Sequence, residues 1–261
     1  MKLRLSIAAC SIALASACSL APLNEPYEGV DLPFEDGFES GSASAFHMEL
    51  PSSGNLELST LERFEGAYSA LLRVAPGETI YNGNRAELAV YGVAYWGQTA
   101  FFRWRFMIPA DDSDAYDWQI HAQWYQLPDF QRGETFDFFF AHPPVALVFE
   151  PGFLVAKGSV GTERELGRAA LSKGTWHTAT VEIRFLDYDM GYVQAWLDGA
   201  PITPWNGADH RVFGPTLHSK AGAYFKVGLY RGAPWQDQAT GENSVYVDDV
   251  KIAGSWAEVN P

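Results

Sequence analysis

Three stretches of this 261-residue chain carry side chains whose types and spacing could do chemistry. Tyr224-Phe225-Lys226-Val227-Gly228-Leu229-Tyr230 alternates like a half-buried strand. That turns Phe225, Val227 and Leu229 to a core and leaves Tyr224, Lys226, Gly228 and Tyr230 on the other face. An ammonium and a phenol then share one face, at most about 13 Å apart along the strand. Gly228 between them leaves room for close approach. The stretch reads as the floor of a ligand site with a proton donor built into it. In Trp118–Tyr125 the same alternation sends Ile120, Ala122 and Trp124 inward and lines up Gln119, His121 and Gln123 outward. In Asn84–Val90, Ala86, Leu88 and Val90 go in, while Arg85 and Glu87 go out.

Each of these residues also has an ordinary structural reading. A lone outward arginine or lysine is usually a solvated face, a single histidine is more often structural than catalytic, and a strand tyrosine generally packs. Several strands carrying such rows change the balance, because neighbouring strands lie only about 5 Å apart. A fourth row fits the pattern: in Ala100–Met107, Phe102, Trp104 and Phe106 share one face and Arg103 and Arg105 the other. Glu87 reads as the carboxylate that orients Arg85 or Lys226. Trp124 is expected in the core.

The elements that must position these rows are short strands separated by Gly, Pro, Asp and Asn turns. They are predicted at 45–50, 55–60, 68–74, 84–91, 98–108, 117–126, 135–141, 145–150, 152–157, 177–186, 191–198, 222–230 and 244–252. Only Thr162–Leu171 looks helical, and weakly. Aromatics at 15% and 24 glycines suit an all-β sandwich. Two curved antiparallel sheets forming a β-jelly roll are the simplest arrangement.

The N-terminus reads as targeting. Lys2 and Arg4 precede an apolar run, Leu5 to Ala17, that is too short to span a membrane stably. Small residues Ala15-Ser16-Ala17 then lead to Cys18, an arrangement that resembles a bacterial lipobox. Residues 1–17 are therefore expected to be a signal peptide, 18–30 a lipidated Cys18 with a Pro-broken tether, and 31–261 the folded domain. Ser19 after the cysteine suggests outer-membrane sorting. The alternative is ordinary cleavage after Ala17 and a periplasmic or secreted protein. The membrane is then met only through the lipid, and a monomer is expected. Cys10 and Cys18 are the only cysteines, so the domain has no disulfide and no Cys-ligated zinc. Removing residues 1–17 moves the formal charge from -14 to -16. That argues against nucleic acid and against an anionic membrane surface as partners, although a local basic groove for an anionic ligand remains open.

Asn84-Arg85-Ala86-Glu87-Leu88, Gln119-Ile120-His121 and Tyr224 through Tyr230 occur in the order and approximate spacing of the jelly-roll polysaccharide lyases, and the chain resembles that superfamily over residues 31–255. The Gln-Ile-His triplet and the Tyr-Phe-Lys start look like family seven alginate lyases. Lys226 through Gly232 and Val245-Tyr246-Val247-Asp248-Asp249-Val250 look more like the glucuronan lyase and heparin lyase I branch. Ala89 follows Leu88 where alginate lyases commonly carry another arginine.

The resemblance implies β-elimination on a 4-linked uronate polymer, glucuronan- or alginate-type. The C5 proton next to the carboxylate must leave, so the carboxylate has to be neutralised first. Arg85 with Gln119 suits that role, since a guanidinium pairs a carboxylate bidentately and an amide donates. Tyr230 is the expected acid toward O4 and, for epimers that present the proton on the same side, also the base. His121 is the alternative base. Lys226 either lowers the phenol's pKa or binds the carboxylate. Glu87, Arg103, Arg105, Gln123 and Tyr224 are expected along the substrate.

A glycoside hydrolase would need two spaced carboxylates, and the nearest pair, Glu163 and Glu165, lies in a charged loop. A lectin-like carbohydrate-binding surface lipoprotein is the stronger alternative, since Trp176–Trp196 is a lectin-like segment, but binding alone does not need Arg, Gln, His, Lys and Tyr on one face. The elimination requires no cofactor. A structural calcium at Asp36, Glu39, Asp248 and Asp249 is conceivable, against solvated turn carboxylates as the alternative, and no metal ligand is assigned.

Overall fold

The computed structural model describes residues 31–114, 116–127, 143–220, 222–232 and 241–260. Its strands are β1 (Phe34–Asp36), β2 (His47–Glu49), β3 (Leu56–Ser59), β4 (Ser69–Val74), β5 (Arg85–Tyr95), β6 (Thr99–Met107), β7 (Gln119–Gln126) and β8 (Val145–Glu150). They continue with β9 (Phe153–Gly158), β10 (Arg164–Ala170), β11 (His177–Arg184), β12 (Tyr192–Leu197), β13 (Ala200–Pro201), β14 (Val212–Phe213), β15 (Gly222–Tyr230) and β16 (Asn243–Ala253), and a one-turn helix α1 (Trp256–Val259) follows. Among the described residues they form two antiparallel sheets packed as a jelly roll. A nine-strand sheet runs β13-β12-β11-β6-β16-β4-β3, with β1 on β16 and β14 on β12. A seven-strand sheet runs β10-β9-β8-β7-β15-β5-β2.

Alternation explains most of the core. Phe102, Trp104 and Phe106 of β6 meet Ala122 and Trp124 of β7, Phe225 and Val227 of β15, and Ala86, Leu88 and Val90 of β5 in one cluster between the sheets. Trp124 is in this core, as expected. Each such aromatic contributes on the order of 3–5 kcal/mol against truncation to alanine.

Two expectations change, and others fall on residues the structure does not describe. Residues 164–170 form strand β10, not a helix. Their helical look came from charged residues on a strand that, among the described residues, pairs on one side only, with β9, across a bulge at Leu166. The predicted strand 135–141, and residues 1–30 with Cys18, lie outside the described residues. Period-two alternation also breaks in β7: its pairing with β8 and with β15 shifts register next to His121. One extra residue at a β-bulge reverses which face the side chains occupy. Among the described residues, no helix is long and apolar enough to cross a membrane.

Candidate active site

Strands β2, β5, β15 and β7 lie side by side, and their registers build the site in rows across the outer face of the seven-strand sheet. One row aligns Arg85, Tyr230 and Ile120. The next aligns Glu49, Glu87 and Gly228. A third aligns Ala89 with Lys226 and Gln123. The Gly228 row carries no side chain on β15, which leaves a gap between Arg85 with Tyr230 on one side and Lys226 with Gln123 on the other, and Glu87 of β5 reaches across its floor to Gln123.

Gly228 is required by the chain itself. Its φ is +146°, and a Cβ there would come within 2.2 Å of the Ala86 carbonyl oxygen. Pairing with β5 demands the glycine, and the open floor follows from it. Gly83 acts similarly, since a Cβ at that position would strike the Arg85 guanidinium and the Tyr230 ring.

The charges in the gap are tightly knotted. One Glu49 oxygen accepts from Lys226 Nζ at 2.7 Å and from Arg85 Nη1 at 2.9 Å. Glu87 is fully buried and accepts from the Gln123 amide. Its second oxygen lies 3.4 Å from Arg85 Nη1 and 4.0 Å from Lys226 Nζ, with no hydrogen bond. Arg85 Nε is also buried without a hydrogen-bond partner. Burial works against ionised Glu49, but Lys226 and Arg85 outweigh it and hold its pKa below the ordinary value. Burial dominates at Glu87 and raises its pKa, aided by the Glu49 charge and opposed by Lys226 and Arg85. Of the two carboxylates, Glu87 is therefore the one disposed to carry a proton. Protonated, it would leave the cluster with a surplus positive charge facing the gap.

Tyr230 is half-buried beside Arg85, whose guanidinium carbon sits 4.4 Å from the ring centroid. Burial raises the phenol's pKa above its ordinary value, and Arg85, by its charge and a hydrogen bond, offsets only part of that rise. The cation that tunes Tyr230 is thus Arg85, in place of the Lys226 expected from sequence. Lys226 instead pairs with Glu49 and lies 5.3 Å from the Tyr224 ring centroid. Tyr224 is buried and stacked on Tyr91 at 4.9 Å, with Tyr125 at 5.7 Å. The half-buried Tyr91 and Tyr125 form the accessible part of this aromatic shelf, with Tyr224 beneath.

Two expected groups are not brought to the site. The β7 bulge turns His121 into the core, where its ring stacks on Phe149 at 4.5 Å. Its Nε2 accepts from Trp104 Nε1 at 2.8 Å, and Nδ1 donates to the Gly228 carbonyl at 3.1 Å. Complete burial, only partly offset by that backbone bond, pushes its pKa down to about 3. Both nitrogens are committed and the ring is neutral, so in this arrangement it is no base for a ligand. Gln119 pairs with the core-facing Phe149 and is buried on the same side. Gln123, one bulge further on, takes its place on the outer face.

Arg103 and Arg105 are also displaced from the expected groove. They point outward as alternation requires, but β6 belongs to the nine-strand sheet, on the opposite side of the sandwich. Arg103 pairs there with Asp249 at 2.6 Å. Glu163 and Glu165 are exposed at the β10 edge, where Glu165 is held by Arg168.

The remaining carboxylates considered for calcium are separately engaged. Asp36 accepts from the Phe38 amide, Glu39 from Ala67 and Tyr68, and Asp248 from Phe64 and Asp249. Among the described residues, no group of three or more His, Cys, Asp or Glu side chains converges as a metal site.

Ser172, His177 and Asp198 form a hydrogen-bonded chain, with Ser172 Oγ 3.1 Å from Nε2 and Nδ1 2.7 Å from Asp198. Nε2 also lies 3.0 Å from the Ser172 carbonyl, which can only accept. The His177 ring is buried, and this chain of contacts ties the loop at Ser172 to β11.

The residue missed in the sequence is Glu49. It lies on a three-residue strand, and the cations that give it meaning are 36 and 177 positions away. A buried carboxylate in a strand with no local partner was the available signal.

Comparison with known proteins agrees with this fold. A family model described as polysaccharide lyase matches residues 37–251. No curated protein matches the chain. Among solved structures, an endo-β-1,4-glucuronan lyase from the fungus Trichoderma reesei superposes with a TM-score of 0.66 at 19% identity, covering 87% of this chain and 97% of that one. The cellulose-induced protein Cip1 gives 0.56 at 16%, covering 85% and 97%. The family 7 alginate lyase A1-II', as a doubly substituted variant in complex with substrate, gives 0.55 at 15%, covering 84% and 97%.

Proposed function

Since the chain belongs to the polysaccharide lyase family, we propose that the gap over Gly228 cleaves a 4-linked uronate polysaccharide by β-elimination, with glucuronate or mannuronate in the reacting position. The observation that carries this is Tyr230 against the Arg85 guanidinium, at 4.4 Å from its ring centroid, beside a gap rimmed by Lys226 and Gln123.

The uronate carboxylate displaces part of Arg85's hold on Glu49 and takes the guanidinium, with the Gln123 amide as second donor. This neutralisation makes the C5 proton acidic. Burial holds Tyr230 protonated at rest, with its pKa above the ordinary value despite Arg85, so the oxygen first releases its proton to solvent; the resulting phenolate, held against Arg85, takes the C5 proton. The C5–H electrons form the C4=C5 double bond as the C4–O4 bond breaks, and the new phenol returns the proton to O4. Atoms and charge balance, and phenolate is regenerated.

One oxygen performing both transfers requires H5 and O4 on the same side of the sugar. Glucuronate and mannuronate meet that condition; guluronate does not. With His121 in the core, its imidazole does not face Tyr230 across the gap. The substrates named for the glucuronan lyase and the alginate lyase support the uronate class.

The test is mass spectrometry of digests of glucuronan, polymannuronate and polyguluronate. Products lighter by one water than hydrolysis would give, from the first two polymers, are expected. Hydrolysis products, or preferential cleavage of polyguluronate, would overturn the scheme. Binding with no cleavage of any uronate would leave the lectin-like alternative.

A further inference from the structure

The displaced arginines build a site of their own. Strands β6, β11 and β12 are neighbours, and their registers align Arg103 with Thr180 and Trp196, and Arg105 with Thr178. These residues, with Trp256 of α1, line a hollow of about 410 Å³ on the outer face of the nine-strand sheet. That volume is in the range of pockets that take small ligands. The two tryptophans meet at 4.7 Å between ring centroids, and Trp256 is 42% exposed.

Three cations share one buried carboxylate there. Arg103 at 2.6 Å, Lys251 at 3.4 Å and Arg105 at 3.6 Å all converge on Asp249. Lys251 has a second partner in Glu35. Asp198 at the rim is committed to the Thr178 amide and His177. Arg103 is 8% exposed, and the Nε atoms of both arginines are buried without a hydrogen-bond partner. Buried guanidinium donors left open are costly unless something accepts from them. Two adjacent arginines, two threonine hydroxyls, half-buried Trp196 and exposed Trp256 are the chemistry that recognises a sugar carrying a carboxylate: the fork pairs the anion, the hydroxyls bond the ring, and the indoles cover its apolar face.

We propose that this hollow is a second saccharide site, for a uronate segment, on the opposite face of the sandwich from the catalytic gap. The ligand class comes from the hollow's own side chains and does not depend on the elimination scheme. A polymer held here would be kept near the enzyme while another segment reacts, which raises its effective concentration at the gap.

The test is isothermal titration of the Tyr230→Phe protein with oligoglucuronate, oligocellulose and sodium acetate, repeated on the additional variants Arg105→Gln and Trp256→Ala. Arg105 is half-buried and Trp256 exposed, so both changes should leave the fold intact, checked by circular dichroism. The expected result is two sites for oligoglucuronate, one of them weakened at least tenfold by either change, with no comparable binding of oligocellulose or acetate. In the otherwise native enzyme, either change should raise KM on polymer and leave kcat unchanged. A single site that neither change weakens would overturn the proposal, as would a second site indifferent to both changes. Equal binding of acetate would reduce the hollow to a general anion site and overturn the saccharide assignment. If no polymer is cleaved but the second site titrates as described, the catalytic reading fails and this one stands.

Discussion

His121 offers a quantitative test, because its burial ties acid stability to one ring. The folded pKa is pushed down to about 3, while an unfolded histidine titrates near its ordinary 6.5. The native state therefore binds fewer protons than the unfolded state between those values. The stability of the neutral, buried ring is fully present above about 6.5 and is lost as pH falls toward 3. Between pH 7.5 and 4.5 the loss works out at about 2.7 kcal/mol from two-state linkage, and it hardly changes if the folded value is a unit higher. Urea unfolding of the wild type and His121→Gln at both pH values isolates this contribution, because all other titrating groups, including Asp248 with its pKa raised to about 6, are common to both proteins. The wild type should lose about 2.7 kcal/mol more than the variant on acidification. The variant should keep its kcat wherever it is folded. Equal acid losses would show that His121 titrates freely in the native protein. A hundredfold fall in kcat at full folding would return it to the catalytic site.

Three further outcomes follow from the same geometry. Gly228→Ala should destabilise by at least about 2 kcal/mol, through positive φ and collision with the Ala86 carbonyl, measured by chemical denaturation. A neutral result would mean that β15 and β5 do not pair as described. Glu49→Gln strands Arg85 and Lys226 with a single buried carboxylate and should cost about 3–5 kcal/mol, read as a lowered unfolding midpoint. Arg85→Gln should lower kcat/KM by roughly a hundredfold or more, about 3 kcal/mol, in a protein whose circular dichroism is unchanged; a fall under threefold would remove Arg85 from the site.

Much of the fold was legible because alternation is a local property. The inward faces of β5, β6 and β15 follow from period two, and so does the pairing of Arg85, Lys226 and Tyr230 on one surface. Alternation says inward or outward, however, and not toward which sheet. Arg103 and Arg105 are outward as read, yet they belong to the opposite face of the sandwich, a fact of topology. The β7 bulge is a different failure: one extra residue inverts His121, and no residue in Gln119-Ile120-His121-Ala122 announces it. Glu49 was hidden because its meaning is long-range, in two cations from other strands. The β10 strand was misread because it is charged and, among the described residues, pairs on one side only.

The elimination itself is tested most directly by the ultraviolet absorbance of the C4=C5 bond conjugated to the uronate carboxylate, followed on glucuronan with wild type and Tyr230→Phe. The mechanism predicts a steady rise with the wild type and none with the variant, at unchanged fold and unchanged oligoglucuronate binding. A variant that produces the chromophore at the wild-type rate would contradict it.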